Sequence, residues 1–236
     1  MIMKYKRILL KLSGEGLMGK QAYGIDDNVL DIFAESIKNV YARGISLCIV
    51  IGGGNFYRGV NNKNESVNRS VADQAGMLAT VINALFLKSI LLAKGISAEV
   101  LSGLAVPQVA ETYSYRTAQK LLKEKNVLIF AGGTGNPYFT TDTGATLRAL
   151  ENNCDALFKA TQVDGVYDSD PKKNPKAKRY DTVSYDEVIT KELKVMDMTA
   201  ISMARENKLP IIVFKQENAK SLLNVLDGKE KCTLIK

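Results

Sequence analysis

With 236 residues, 46% of them hydrophobic, the chain can bury one sizeable core, and a single α/β domain spanning 1–236 is the expectation. Thirty-two Lys and Arg against 25 Asp and Glu leave a net charge of +7, which suits partners that carry phosphate without choosing between a nucleotide and a nucleic acid. The absence of histidine excludes a Ser-His-Asp triad, a Cys-His pair and histidine metal sites, so any chemistry must run without the usual proton shuttle.

In chain order, strand-like and helix-like patterns alternate. Residues 7–12, "RILLKL", read as a strand. Residues 27–43 place Val29, Phe33, Ile37 and Val40 on one helical face, with Gly44 as the stop. "SLCIVI", 46–51, is a continuous apolar run of the kind a parallel strand buried on both faces requires, and it ends in Gly52-Gly53-Gly54. The longest helical pattern, 68–94, puts Val71, Ala75, Leu78, Ile82 and Leu85 in register, with Gly95 at its end. A strand at 97–102 and a helix at 114–124 precede "NVLIFA", 126–131, which runs into a second glycine loop. "ALFKAT", 156–161, is a shorter strand followed by a polar, proline-punctuated stretch to about Asp181. Ser184 and Glu187 form a capping-box signature, and strands at 210–214 and 232–236 close the chain. The alternation predicts a mostly parallel twisted sheet with helices on both faces, a three-layer α/β/α sandwich. In such sheets ligands bind outside the carboxyl ends of the strands.

Cys48, Cys154 and Cys232 are odd in number, widely spaced and set in apolar surroundings, so they read as buried structural thiols rather than zinc ligands or a disulfide framework. Lys11 interrupts the N-terminal apolar stretch too early for a signal peptide, and no run is expected to approach the ~18 apolar residues of a membrane span. A cytoplasmic protein with no membrane partner is expected.

Three loops at strand ends carry the chemistry. Gly14, Gly19 and Lys20 fit the skeleton of a phosphate-binding P-loop, but Gln21 stands where that motif needs the Ser or Thr that holds magnesium. Lys11-Leu12-Ser13-Gly14 instead offers backbone N–H groups and an ammonium, a cradle that needs no P-loop frame. "VIGGGNFYRG", 50–59, lets backbone N–H groups crowd around an anion within reach of Arg58. It misses the dinucleotide fingerprint, whose third glycine would fall at Tyr57. "AGGTGNPYFTTDT", 131–143, adds Gly132, Gly133, Gly135 and several hydroxyls. It puts residues 140–142 at a helix N-terminus, where Asp142 suits an N-cap and free N–H groups favour anions. Tyr138 and Phe139 read as packing residues. Two phosphorylated groups held together suit phosphoryl transfer between them. A phosphomonoester acceptor, with a second pKa near ~6, is already a nucleophilic dianion at neutral pH and needs no histidine.

These segments, with "KATQVDGVYDSDP" and "KELKVMDMTA", resemble the bacterial uridylate kinase family of the amino acid kinase superfamily, in order and spacing, over essentially the whole chain. The family uses no P-loop, so the near-match at Gly14, Gly19 and Lys20 is a coincidence. The resemblance implies phosphorylation of UMP to UDP by ATP, with Mg²⁺ carried on the nucleotide, in pyrimidine nucleotide biosynthesis. It matches Lys11, Leu12, Ser13 and Gly14 to the segment holding ATP phosphates, and Gly54 and Arg58 to phosphate-bridging positions. Thr161, Tyr167 and Asp170 match the ATP nucleoside pocket. Gly53 and Asp73 match the UMP site, as do Thr134, Gly135, Asn136 and Pro137, and then Tyr138, Phe139, Thr140 and Thr141. Asp73, a carboxylate that repels phosphate, is assigned to the ribose hydroxyls. Lys11 and Arg58 are expected to neutralise the transferring phosphoryl group, and Asp142 and Asp197 to orient the cations, with no protein ligand set for a metal. Gly19, Lys20, Gln21, Ala22, Tyr23 and Gly24 correspond to a segment tied to activation by GTP; UTP inhibition and a homohexamer also belong to the family.

Two rivals remain at this point. Another superfamily kinase would phosphorylate a carboxylate or carbamate, against which the "GTGNPYFTTD" loop argues. A nucleotide-sensing or nucleic-acid-binding protein would bind DNA with a steep salt dependence. The basic stretch "PKKNPKAKR", 171–179, has two prolines and no aromatic cluster, and reads as a solvated loop beside the nucleoside pocket.

Overall fold

The computed structural model describes residues 5–57 and 67–236. β1 (Arg7–Leu12) lies between β2 (Ser46–Ile51) and β6 (Ala156–Thr161), parallel to both. Outward from β2 come β5 (Val127–Ala131), β3 (Ala98–Ser102) and the two-residue β4 (Glu111–Thr112), all parallel. Outward from β6 come β8 (Ile211–Lys215), β9 (Cys232–Ile235) and the two-residue β7 (Thr182–Val183). β9 runs antiparallel to β8 and parallel to β7, so one edge reverses. The sheet is therefore mostly parallel, as its unbroken apolar strands require.

Helices cover both faces. α1 (Asp27–Tyr41), α2 (Arg69–Ala93) and α7 (Ser221–Leu226) pack on the face carrying Ile8, Leu10 and Leu12. α3 (Tyr115–Lys123), α4 (Thr141–Glu151), α5 (Tyr185–Thr190) and α6 (Met198–Glu206) cover the face carrying Leu9 and Leu157. Ser184 caps α5 by accepting from the Glu187 N–H at 3.1 Å, but the Glu187 carboxylate turns to Lys191 instead of completing the box. Cys48 and Cys154 are buried as expected, whereas Cys232, on the reversed β9, is only half-buried.

The register read in α2 lies mostly on its outward face: Leu78 and Ile82 are 47% and 41% exposed, with Phe86 beside them at 50%, although Leu85 packs against the core. Met77, Val81, Ala84, Leu87 and Leu91 are the residues that bury. The helix is apolar on two faces, and periodicity finds both without ranking them. At 25 residues, α2 is also long and apolar enough to cross a membrane by length and composition. Here it packs against β3, β5 and α1 as a core helix.

Candidate active site

The chain leaves β1 for β2 on one side and, later, β6 lies on the other, which makes the carboxyl end of β1 the topological switch point. Side chains alternate along a strand, so Lys11 shares the face of Leu9, and Lys159 that of Leu157. The two lysines are register partners across the β1–β6 ladder, side by side beneath the N-terminus of α4. Asp142 reaches down from the first turn of α4 between them. Lys11 Nζ lies 2.9 Å from its Oδ1, and Lys159 Nζ donates to its Oδ2 at 2.8 Å. The Lys11 contact is an ion pair without the direction of a good hydrogen bond, since Oδ1 receives none. Lys159 also donates to the Val195 carbonyl.

The electrostatics follow from burial and charge. Burial pushes the Asp142 carboxyl up, but Lys11 and Lys159 overcome it and hold the pKa at about 2. Burial likewise lowers Lys159, and the neighbouring Asp142 only partly restores it against the repulsion of Lys11. The Lys11–Asp142–Lys159 triad by itself is +2/−1, and the nearby Asp197 carboxylate tempers that excess through space.

Local chemistry explains why Asp142 is free for this work. The N-cap of α4 is Thr140, not Asp142: its hydroxyl accepts from the Asp142 N–H at 3.0 Å. Asp197 then holds that turn. It accepts from the hydroxyls of Thr140 and Thr143, the latter at 2.8 Å, and caps α6 through the Ala200 N–H at 2.9 Å. The expectation that Asp197 orients the lysines is corrected in its geometry. Asp142 touches both ammonium groups, whereas Asp197 is bonded to hydroxyls and acts on Lys159 only through space.

The glycine loops close the site by backbone packing. The Gly52 N–H donates to the Leu12 carbonyl at 3.0 Å, and a Cβ on Gly14 would sit 2.5 Å from the Gly52 oxygen. A Cβ on Gly53 would meet the Gly76 carbonyl of α2 at 2.6 Å. Above these loops lies a cavity of about 350 Å³ walled by Lys11, Ser13, Gly14, the Gly52–Gly54 triplet and Asp142. Its far side is formed by Asp73, Gly133, Phe139, Thr140 and Thr141. Asp73 accepts from Arg69 Nε at 2.8 Å and from the Tyr138 N–H at 2.8 Å. Thr134, Gly135, Asn136, Pro137 and Tyr138 form the loop above the cavity rather than its wall. Tyr138 is not the packing residue expected: it is 67% exposed, with the Arg69 guanidinium 5.6 Å from its ring centre, and Phe139 is half exposed to the cavity.

A second cavity, of about 560 Å³, opens on the other side of the cluster, at the ends of β6 and β8. Lys159, Thr161, Tyr167 and Asp170 line it, which brings the three residues expected in a nucleoside pocket together. The Thr161 hydroxyl is held in a turn with Val163, and Asp170 caps a turn through the Lys172 N–H at 2.9 Å. The 171–179 stretch begins at this cavity's rim, where Pro171 joins the lining. Lys11 and Asp142 face the first cavity and Lys159 the second, so the charge cluster is the wall they share.

Gly19–Gly24 forms an exposed turn that is tied back to the site: the Gly24 N–H donates to the Asn55 carbonyl at 2.9 Å. Arg58 lies outside the described residues. Sequence reasoning missed Lys159 and Arg69. The signal for Lys159 was a lysine interrupting an apolar strand at the face parity of Lys11.

A doubly wound sheet with paired lysines and glycine loops at its switch point defines an α/β protein built to bind phosphate groups. The chain belongs to the amino acid kinase family, which matches residues 6–215. It is 53% identical over 233 residues to the uridylate kinase of Rickettsia typhi, covering 99% of this chain and 96% of that relative. The crystal structure of UMP kinase from Bacillus anthracis superposes with a TM-score of 0.94 at 37% identity, over 98% of this chain and 96% of that one. UMP kinase from Ureaplasma parvum gives 0.94 at 36%, over 99% and 100%.

Proposed function

We propose that the chain is an ATP-dependent UMP kinase that moves the γ-phosphoryl group of ATP onto the phosphate of UMP, giving ADP and UDP for pyrimidine nucleotide biosynthesis. The observation that carries this reading is the Lys11–Asp142–Lys159 cluster joining two nucleotide-sized cavities. ATP would place its nucleoside in the cavity of Thr161, Tyr167 and Asp170, and UMP its own between Asp73 and the 133–141 segment.

The UMP phosphate, a dianion at neutral pH, attacks in line and needs no general base. Lys11 and Lys159 neutralise the oxygens of the transferring group, in a site where water no longer screens them. Asp142 holds the two ammonium groups at a fixed spacing and limits their mutual repulsion. Arg58 is assigned to the same phosphates, and Asp73 keeps free lone pairs for the ribose hydroxyls. Magnesium fits as a passenger on the nucleotide. The Asp142 and Asp197 carboxylates are already engaged, and among the described residues no three acidic or cysteine side chains cluster as metal ligands. When bound, it would neutralise phosphate charge.

We further propose a cytoplasmic homo-oligomer, hexameric as in the family, buried partly through the outward face of α2 at Leu78, Ile82 and Phe86. GTP activation through Gly19–Gly24 and UTP inhibition belong to the same proposal.

The test is ADP formation from Mg-ATP with UMP, CMP, AMP, GMP or glutamate, for this chain and for Arg58→Ala. Turnover on UMP alone, lost in the variant, is expected; turnover on glutamate, or on no acceptor, overturns the assignment. A second expectation concerns pH. Lys159 must be protonated to act, and its folded-state pKa lies below the ordinary 10.5. The alkaline limb of kcat/KM therefore falls below pH 10.5, and Lys159→Arg moves it upward, because a guanidinium does not deprotonate in this range. A limb that stays in place in the variant assigns it to another group.

A further inference from the structure

The inner face of α2 is not purely apolar. Between Met77, which lines the cavity, and Ala84, which packs in the core, stand Thr80 and Asn83, both almost fully buried. Three residues apart, they lie on one face of the helix. Each reaches a different glycine loop.

Asn83 Nδ2 donates to the Gly52 carbonyl at 2.6 Å and to Asn55 Oδ1 at 2.7 Å, while Asn55 Nδ2 returns a bond to Asn83 Oδ1 at 2.9 Å. Because the carbonyl can only accept, the Asn83 amide has one workable orientation. Asn55 Nδ2 also donates to the Gly24 carbonyl at 3.0 Å. The Thr80 hydroxyl donates to the Met77 carbonyl at 2.6 Å, which leaves its lone pairs to accept from the Gly132 N–H at 2.7 Å. Gly132 has φ 71°, a left-handed conformation that a short loop must be held in. Gly53 meanwhile packs its Cα against the α2 backbone near Gly76 and Thr80.

We propose that Thr80 and Asn83 are positioning residues: α2 acts as a ruler that fixes the glycine loop after β2 relative to the one after β5, and so sets the width of the acceptor cavity between them. In a trans peptide the carbonyl and the following N–H point in opposite directions. Anchoring the Gly52 carbonyl to α2 thus turns the Gly53 N–H away from the helix. Holding the Gly132 N–H places Gly133, part of the opposite wall. Asn83 lies outside the lining of the acceptor cavity; Thr80 belongs to it, but its hydroxyl is engaged with the Met77 carbonyl and the Gly132 N–H, so both side chains act through the loops.

This inference rests on the UMP kinase reading for its kinetic part, and the test separates the two. Thr80→Val keeps the shape and removes the acceptor, and Thr80→Ser restores it. In Thr80→Val, KM for UMP rises about tenfold, the scale of one buried N–H left unpaired, while kcat and KM for ATP stay within about twofold. Thr80→Ser returns KM for UMP to the wild-type value. Hydrogen exchange of the 131–135 segment speeds up in Thr80→Val, and that of 52–57 in Asn83→Leu, while a peptide from β1 exchanges as in the wild type. Unchanged exchange at both loops, or equal rises in the two KM values, overturns the proposal. If the wild type binds UMP but does not turn it over, the kinase reading fails, and the exchange rates with the UMP affinity of Thr80→Val still decide whether α2 spaces the loops.

Discussion

Asp142→Asn folds less stably and turns over at least a hundredfold more slowly than the wild type. The substitution keeps the shape and removes the carboxylate charge that pairs with both Lys11 and Lys159, leaving two buried ammonium groups 2.9 and 2.8 Å from a neutral amide. Breaking a buried ion pair by deleting one partner costs about 3–5 kcal/mol. For a chain of this size that lowers the midpoint of thermal unfolding by roughly 10 °C. The catalytic loss has a separate cause. Without the carboxylate the lysines separate or shed a proton, and neither response leaves two fixed cations for the phosphoryl oxygens.

The pH dependence of stability carries the same signature. The folded-state pKa of Asp142 is depressed, from 3.8 to about 2, so its contribution is fully present above the unfolded value and is lost as pH falls from 3.8 through 2. The shift corresponds to roughly 2 kcal/mol. Urea titrations across pH 2–5 should show a slope in the wild type that is weaker in Asp142→Asn. Parallel slopes would mean that the carboxylate is not ionised by its neighbours.

Lys159→Met should lose about 10²–10³ in kcat while losing far less stability than Asp142→Asn. The asymmetry follows from the charges. Removing Lys159 takes away a cation that burial already disfavours, and Asp142 keeps Lys11 as its partner. A group that touches only the transferring oxygens lowers kcat and kcat/KM together and leaves KM for UMP nearly unchanged. Lys11→Met, facing the cavity proposed for the acceptor, should lose comparable kcat and raise KM for UMP as well. Steady-state kinetics on both variants, with thermal melts, decide the matter. A Lys159→Met enzyme with near wild-type kcat would remove Lys159 from the mechanism.

The longer strands were legible because a doubly buried strand has a simple signature, an apolar run ended by glycine, and β2 and β5 both show it, whereas the two-residue β4 and β7 carry no such run. The loops after them were legible for the same reason. What local pattern could not supply was pairing. Lys159 sits 148 residues from Lys11 (159 − 11), and only the β1–β6 ladder makes them neighbours. A lysine inside "ALFKAT" reads alone as a weak strand end. The roles of Asp142 and Asp197 were likewise undecidable in one dimension. Each begins a helix, and a cap differs from a charge clamp only in what faces it. In α2 the apolar pattern read correctly as helix but left the buried side undecided, because Leu78 and Ile82 are as apolar as Val81 and Leu87. The short α6 and α7 carry too few turns for a period to emerge, so they form on the sheet they cover.

The two lysines project from adjacent strands whose backbones are fixed by the central ladder of the sheet, whereas the cavity proposed for the acceptor is walled largely by loops and helix ends. Reactivity and substrate choice thus have different structural owners. Mutational drift at the 133–141 segment or around Asp73 can redirect which phosphate acceptor is accepted while leaving the transfer step intact. Drift in β1 or β6 cannot be so selective, since one shifted register would dismantle the reaction for every acceptor at once. An engineer wishing to change the specificity of this protein should therefore randomise the loops and keep the strands.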